Sequence, residues 1–410
     1  MRPAAAGYTA SLRDDRPATT VFPPRVEATA MAATRRRVLA GGVALAVGSH
    51  GSVRSRSARE CPTSVAPSVD ARVGFVGDVM LGRSVDEHWR GGDPTGVWDG
   101  LADRLDALDG LVCNLECAIS NRGERRPGRT YYFRADPDWA VPALAAAGVD
   151  FASLANNHLL DFGPAALADT RTHLGRAGIA RAGAGPDRKT AFEPATFDVG
   201  DLTVGVCSLT DQSRSYAAGE STPGTAYLPL NHRVPGTRER VERALTRLHE
   251  AGADLVVASL HWGPNWVVRP AATQRSFARW LIDRGVDVVH GHSAHVLQGV
   301  EVYRGRPILY DCGDFVDDYV TKPELHNKWS ALFDLEISEG RLTALRADPV
   351  VIDDETVHPV GDDAPGSVDE EAAEAAPWVR GRLRTLSEPF GTTVERDGNG
   401  VRIPLGDCDG

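Results

Sequence analysis

From Arg72 onward, apolar runs of strand length alternate with segments of helical spacing, and a chain patterned this way has to build sheets that carry helices on their faces. The spacing predicts strands over 72–77, 110–114, 149–154, 254–261 and 287–290. Between them, 98–108, 138–147, 164–176, 236–250 and 271–284 repeat apolar residues at helical intervals, as Phe277, Trp280 and Leu281 do. The runs 195–199 and 202–209 meet at Gly200-Asp201, and 299–303 meets 307–311 at Arg304-Gly305. Such short junctions close hairpins, so antiparallel strands join the parallel ones. An α/β fold with mixed sheet structure is expected over 71–345. Beyond it the pattern weakens to an acidic loop, a helix near 369–386 and a last strand pair, so 346–410 is expected as an extension packed on the main domain.

Each predicted strand runs into a polar cluster. Asp78 follows the first, Asn114 and Glu116 the second, and Asn156, Asn157, His158 and Asp161 the third. His261 ends the fourth, and His290, His292 and His295 follow the fifth. In open α/β sheets ligands bind at the carboxyl ends of strands, so these clusters are expected to meet although they lie far apart in sequence. Oxygen and imidazole donors without thiolates suit Mn, Fe, Zn or Mg, as one ion or two. A pair of such ions ~3.5–4 Å apart clamps a phosphoryl oxygen and supplies hydroxide at neutral pH, which is phosphoester chemistry.

Each cluster also has a plain structural alternative. Asp78 could cap a helix near Met80, Asn156 or Asn157 could hold a left-handed turn, and His261 could be a satisfied core histidine. Glu116 follows a buried strand and needs a partner there. Three histidines within six residues at the end of an apolar strand are harder to assign to packing alone.

The 410 residues carry 45 basic and 56 acidic side chains, a formal charge of −11, and no basic stretch interleaved with aromatics follows the N-terminal region. Nucleic acid is therefore not an expected partner. Six cysteines without a CxxC pair imply neither a disulfide framework nor a zinc ribbon. No window is long and apolar enough for a membrane span, so any membrane passage must depend on the N-terminus. There, Arg35 to Arg37 precede the short apolar run Val38 to Val47, and Thr34-Arg35-Arg36-x-Val38-Leu39 is similar to a twin-arginine signal, with Met31 as a possible start. Residues 1–70 are expected as an export signal and linker that leave no transmembrane anchor after removal, the alternative being a basic tail.

The chain resembles the CapA-type proteins of poly-γ-glutamate capsule synthesis, distant members of the calcineurin-like metallophosphatase superfamily. The likeness covers about 72–345. It rests on Gly77-Asp78-Val79-Met80-Leu81-Gly82, Asn114-Leu115-Glu116, Ala155-Asn156-Asn157-His158 with Asp161 and Gly163, His261-Trp262-Gly263, and Gly291-His292-Ser293-Ala294-His295 leading to Gln298-Gly299-Val300-Glu301-Val302-Tyr303. The resemblance implies a four-layer sandwich of mixed sheets flanked by helices. It also implies an exported or surface location, and as partners an anionic γ-linked polyglutamate, or another cell-envelope polymer, with its synthesis machinery. Carried over residue by residue, it implies Asp78, Glu116, Asn157, His261, His292 and His295 as metal ligands. It likewise implies His158 as the proton donor to the leaving group, expected at the rim of the site, with Asp161 in the catalytic set beside it.

The chain also departs from the superfamily pattern. Met80 occupies the His position of Asp-x-His, so one metal site lacks that ligand or borrows another. The spacing Gly-His-x-x-His leaves open which two of His290, His292 and His295 bind. Asp314 stands where relatives often carry Asn. Three functions stay open: a polymer-synthesis factor with metal-dependent chemistry, an exported phosphoesterase of an unrelated small substrate, and a non-catalytic protein that binds polymer or partners.

Overall fold

Val73 and Phe75 of the strand Ala71–Val79 face one hydrophobic core, and Val76 of the same strand faces another. A strand apolar on both sides can be stable only between two packed layers. The computed structural model describes residues 70–361 and 370–406, and those layers build the architecture around them. The expected export signal and twin-arginine motif, at 1–70, lie outside the described residues but for the last.

A ten-stranded sheet runs in the order Glu395–Asp397, Gly400–Pro404, Arg341–Asp353, Trp329–Ser338, Ala71–Val79, Gly110–Leu115, Val149–Ser153 and Ala180–Ala182, with Asp314–Val316 paired to Ala71–Val79 and Thr356–Pro359 to Arg341–Asp353. A six-stranded sheet runs Val300–Tyr303, Arg306–Leu309, Val288–His292, Leu255–His261, Leu202–Thr210 and Ala195–Val199. Both mix parallel and antiparallel pairs. Val73, Phe75, Val112 and Phe151 of the first sheet share a core with Val204, Val206, Val257 and Val288 of the second, so the sheets pack face to face.

Helices cover the outer faces. Pro137–Ala146 and Gly163–Arg176 bring Trp139, Leu144, Leu167 and Leu174 onto the larger sheet. Pro235–Glu250 and Ala272–Asp283 bring Val241, Leu248, Phe277 and Leu281 onto the smaller one. The result is a helix, sheet, sheet, helix sandwich, the mixed α/β class expected from the alternation. Helix Glu370–Ser387 adds Ala375, Val379 and Leu383 to the core between the sheets.

The structure departs from the sequence reading in three places. The segment 98–108 is two short pieces, Gly96–Trp98 and Ala102–Asp106, because Gly100 between them takes φ +70°, which no helix continues. The hairpin Trp329–Ser338 with Arg341–Asp353 was not anticipated. Its strands carry Asp334, Glu336 and Arg346 among their apolar residues, and those charges are satisfied by partners distant in sequence or across the hairpin, Arg72 for Asp334 and Glu336 for Arg346. Strand Arg341–Asp353 also crosses position 345, so the boundary drawn there falls inside an element of the main sheet. Cys113, Cys117, Cys207 and Cys312 are buried free thiols.

Candidate metal centre

The register of the strands assembles the site. In the larger sheet Asp78 is the Cα partner of Asn114 on one side and of Asp314 on the other, which sets three polar side chains in one row. In the smaller sheet His261 is the partner of His292, and Ser259 of His290. Side chains on one face of paired strands stand within reach of each other, so each register creates a polar contact at its strand ends. Gly77 allows the row to form, since a Cβ there would lie 1.7 Å from the Gly313 carbonyl oxygen that accepts the Asp78 N–H at 3.0 Å. Past the strand Val288–His292 the chain turns through Ser293 and His295, both at positive φ (107° and 58°). This strained turn aims the Ser293 N–H at Asp78 Oδ2, 3.2 Å away, and brings His295 back over the row.

Two groups of donors share Asp78. Asp78, His261 and His292 form one, and Asp78, Glu116 and His295 the other, each with its candidate ligand atoms within 4.8 Å of one another and every member buried. His261 Nδ1 and His292 Nδ1 approach to 2.9 Å, and Asp78 Oδ1 lies 3.8 and 3.7 Å from them. Asn157 Oδ1 lies 2.9 Å from His261 Nε2, which places the expected amide in the same cluster. Glu116 Oε2 accepts from Tyr319 Oη at 2.8 Å. Its other oxygen, Oε1, is buried with no hydrogen-bond partner, 3.6 Å from His261 Nε2 and 3.9 Å from His158 Nε2. Asp314 Oδ2 is orphaned in the same way, while its Oδ1 meets His295 Nδ1 at 2.8 Å.

The three clustered histidines differ in direction. His292 and His295 turn into the cluster. His290 turns away from it, and its Nε2 lies 2.8 Å from the Val76 carbonyl. That contact orders a chain of hydrogen bonds. A carbonyl only accepts, so His290 Nε2 is the donor, and its Nδ1 accepts from Ser259 Oγ at 3.2 Å. Ser259 Oγ then accepts from His292 Nε2 at 3.0 Å, and the Nδ1 lone pair of His292 is left facing Asp78. Fixing the tautomer through the remote ring nitrogen is how a ligating imidazole is prepared for a cation. Asp78 caps no helix here, since its oxygens take Asn114 Nδ2 at 2.6 Å and the Ser293 N–H.

His158 is 7% exposed and stacks on Phe133 at 3.7 Å between ring centroids, so it does not stand at an open rim as the sequence suggested. Its Nδ1 donates to Asp161 Oδ2 at 2.6 Å, leaving Nε2 to face Glu116. Asp161 also accepts from the Phe133 N–H and Tyr216 Oη, each at 2.9 Å, and from Arg129 Nε at 3.3 Å. Arg129 Nη2 lies 3.1 Å from His158 Nδ1.

Electrostatics set this cluster apart from an ordinary core. Burial pushes Glu116 well above the usual carboxylate range and the charge of Asp78 adds to it; Asp314 is raised by burial and by Asp317. Burial also works against ionised Asp78, but His295, His261 and His292 outweigh it and hold that carboxyl low. Burial depresses His261 to about 3 and His158 to about 4. His295 is held well above its ordinary value, against burial, by Asp314, Glu116 and Asp78. Three buried carboxyls thus crowd one imidazolium, and two carboxylate oxygens lack any donor. Hard oxygen donors and neutral imidazoles with lone pairs converging on that excess negative charge are a donor set that fits a divalent cation.

Asp314, which the resemblance placed near the site without making it a ligand, stands in the cluster. Tyr319, Ser259 and Arg129 were not among the residues expected there, since nothing local distinguishes them from surface or strand residues. Met80, in place of the histidine of Asp-x-His, is fully buried with its Sδ 3.1 Å from the Gly82 N–H, while Asp314 brings an additional oxygen donor to the cluster beside His295.

The chain is similar to several known proteins. A probable polyglutamine synthesis accessory protein of Mycobacterium tuberculosis is 38% identical over 242 residues, 57% of this chain and 61% of that protein. The PGA biosynthesis protein CapA of Bacillus subtilis is 26% identical over 293 residues, covering 71% and 74% of the two chains. The capsule biosynthesis protein CapA of Bacillus anthracis is 28% identical over 290 residues, covering 70% and 68%. Among solved structures, the NAD nucleotidase of Haemophilus influenzae overlaps 77% of this chain and 56% of its own at 13% identity and a TM-score of 0.40, a likeness too distant to bear on function. The sequence model of the bacterial capsule synthesis protein PGA_cap matches residues 72–319, a span that holds every member of the buried cluster, and the chain belongs to that family.

Proposed function

We propose that the chain is an exported, metal-dependent factor in the synthesis of poly-γ-glutamate or a related anionic cell-envelope polymer, with phosphoester-hydrolysing chemistry at the buried cluster. The observation that carries this reading is Glu116 Oε1, a buried carboxylate oxygen with no donor, facing two imidazole nitrogens beside an aspartate shared by two donor groups. Asp78, Glu116, Asn157, His261, His292 and His295 would hold one or two ions, Mn, Fe, Zn or Mg, and Asp314 would stand in for the histidine that Met80 replaces. Bound there, the metal would supply Lewis acidity toward a phosphoryl oxygen and a water nucleophile at neutral pH.

The protein's own groups do the remaining work. Asp161 fixes the His158 tautomer with Nε2 toward the cluster, and burial keeps the ring neutral at pH 7. His158 therefore enters a reaction as a proton acceptor and, once charged, returns the proton to the leaving-group oxygen. Arg129, bound to Asp161 and partly exposed, offers a cation to an anionic substrate beside that ring. Phe133, Tyr319 and Trp266 pack on His158 and His295 and limit water around them.

The deciding experiment combines metal analysis of the purified chain with turnover on a panel of phosphoesters and γ-glutamyl peptides. Bound metal with phosphoester turnover that vanishes in His158→Ala supports the reading. A wild-type protein that takes up no divalent ion after loading removes it, and leaves polymer or partner binding as the function.

A further inference from the structure

The outer helix layer of the smaller sheet carries charges that the buried cluster does not use. On helix Pro235–Glu250, Arg240, Arg243 and Arg247 fall at i, i+3 and i+7 and share one face. Glu242 lies on the opposite side and pairs with Arg284 at 3.4 Å. Val241 and Leu248 face the sheet. One helix thus keeps three arginines together and sends Glu242 away from them, while Glu239 stays beside Arg240.

Against the arginine face comes the short helix Arg188–Ala191, with Arg188 and Lys189, followed by Phe192. Together they enclose a cleft of about 290 Å³ lined by five cations, Phe192, Ala244 and one acid, Glu220. Glu220 reaches Arg188 only at 3.8 Å from a side chain 89% exposed, and Arg247 is engaged by Glu193 at the surface. Among the described residues no carboxylate comes within ion-pair distance of Lys189, Arg240 or Arg243. The guanidinium of Arg240 lies 5.0 Å from the centroid of the Phe192 ring. In a chain with formal charge −11, a concave surface where three of five cations have no ion-pair partner among the described residues can draw counter-charge from outside the molecule.

The arrangement also limits which anion fits. An isolated phosphate asks for donors converging on one point, whereas these arginines are strung along about 10 Å of helix. Charges repeated along a strand match that spacing.

We propose that this cleft binds a segment of a carboxylate-bearing polymer, with Arg240, Arg243 and Arg247 pairing to successive carboxylates and Phe192 covering the apolar stem between them. The assignment rests on the reading that the chain serves an anionic envelope polymer, and does not depend on hydrolysis at the metal centre. It gives the protein a holding site for the polymer apart from the reacting groups.

The test measures binding of γ-linked polyglutamate to the full chain by calorimetry at low ionic strength, for wild type, Arg240→Gln/Arg243→Gln and the single variant Arg243→Glu. Arg243 is exposed, so its reversal leaves the fold intact even if Arg240 proves necessary for packing against Phe192. Expected are binding that weakens with salt and a loss of about tenfold or more in both variants, with unchanged metal content and melting temperature. No binding by wild type, equal binding by the variants, or tighter binding of a single-stranded oligonucleotide or of anionic lipid vesicles overturns the proposal. A wild-type protein with normal metal content that binds no polymer sinks the cleft alone, whereas a wild-type protein that binds polymer but takes up no metal sinks the hydrolytic reading alone.

Discussion

His290 Nε2 donates to the carbonyl oxygen of Val76 at 2.8 Å, a hydrogen bond that crosses from one sheet of the sandwich to the other. Through Ser259 it sets the tautomer of His292, so the packing of the two sheets prepares a lone pair at the cluster. Ser259→Ala and His290→Phe should each weaken metal binding by about 10–100-fold, the effect of losing an outer-shell partner, without unfolding the protein. Competition with a chelator of known affinity reads this directly. Unaltered affinity in both variants would show that the relay has no role in ligation.

Glu116→Gln should move stability in opposite directions with and without metal. Burial and Asp78 make its ionised form unfavourable in the metal-free protein, so the neutral isostere should stabilise that form. The same change removes a ligand and should lower the melting temperature gained on metal loading. Paired thermal scans with chelator and with Mn or Zn check it, and a variant that destabilises the metal-free protein would contradict the electrostatic account.

In the metal-free protein two buried groups should pull stability in opposite directions over the same interval, from about pH 4 to 7. His290 ionises near 6.5 in the unfolded chain and, because of burial, at about 4 in the folded one. The unfolded state therefore takes up the proton first, and this contribution, full above about 6.5, is lost as pH falls toward 4. Asp311 runs the opposite way. Burial and Asp78 raise it to about 7, so its contribution is full below 3.8 and lost as pH rises through 7. His290→Phe should make the melting temperature fall relative to wild type as pH rises from about 4 to 7, and Asp311→Asn should make it rise over the same interval. Profiles that keep the wild-type shape would count against these assignments.

His158→Ala should cut turnover by about 10²–10⁴-fold while metal content stays near wild type, because its Nε2 faces the cluster while its ring is held by Asp161. Asp161→Asn should lower turnover too, through the wrong tautomer. Both are measured on the same protein by single-turnover assay and elemental analysis. Equal loss of metal and activity in His158→Ala would make it a ligand.

Local spacing was enough to place most of the helices and the strands that end in polar clusters. Apolar period and strand length depend only on neighbouring residues, so the strands through Asp78, Asn114, His261 and His290 were legible without the fold. The meeting of those clusters was legible too, since parallel strands send their carboxyl ends to one side. Tertiary structure alone decided that the strands through Asp78 and Asn114 lie in one sheet with Val149–Ser153 and those through His261 and His290 in the other, because periodicity records that a face is buried and not what buries it. It also decided that His290 turns to Val76 while His292 and His295 turn to Asp78, a choice made by strand register and by the positive φ of Ser293 and His295. Asp334 could hide a strand from view because Arg72, 262 positions away, neutralises it. Arg129 and Tyr319 reach the site from loops, where nothing in the sequence near them records which side chain they will meet.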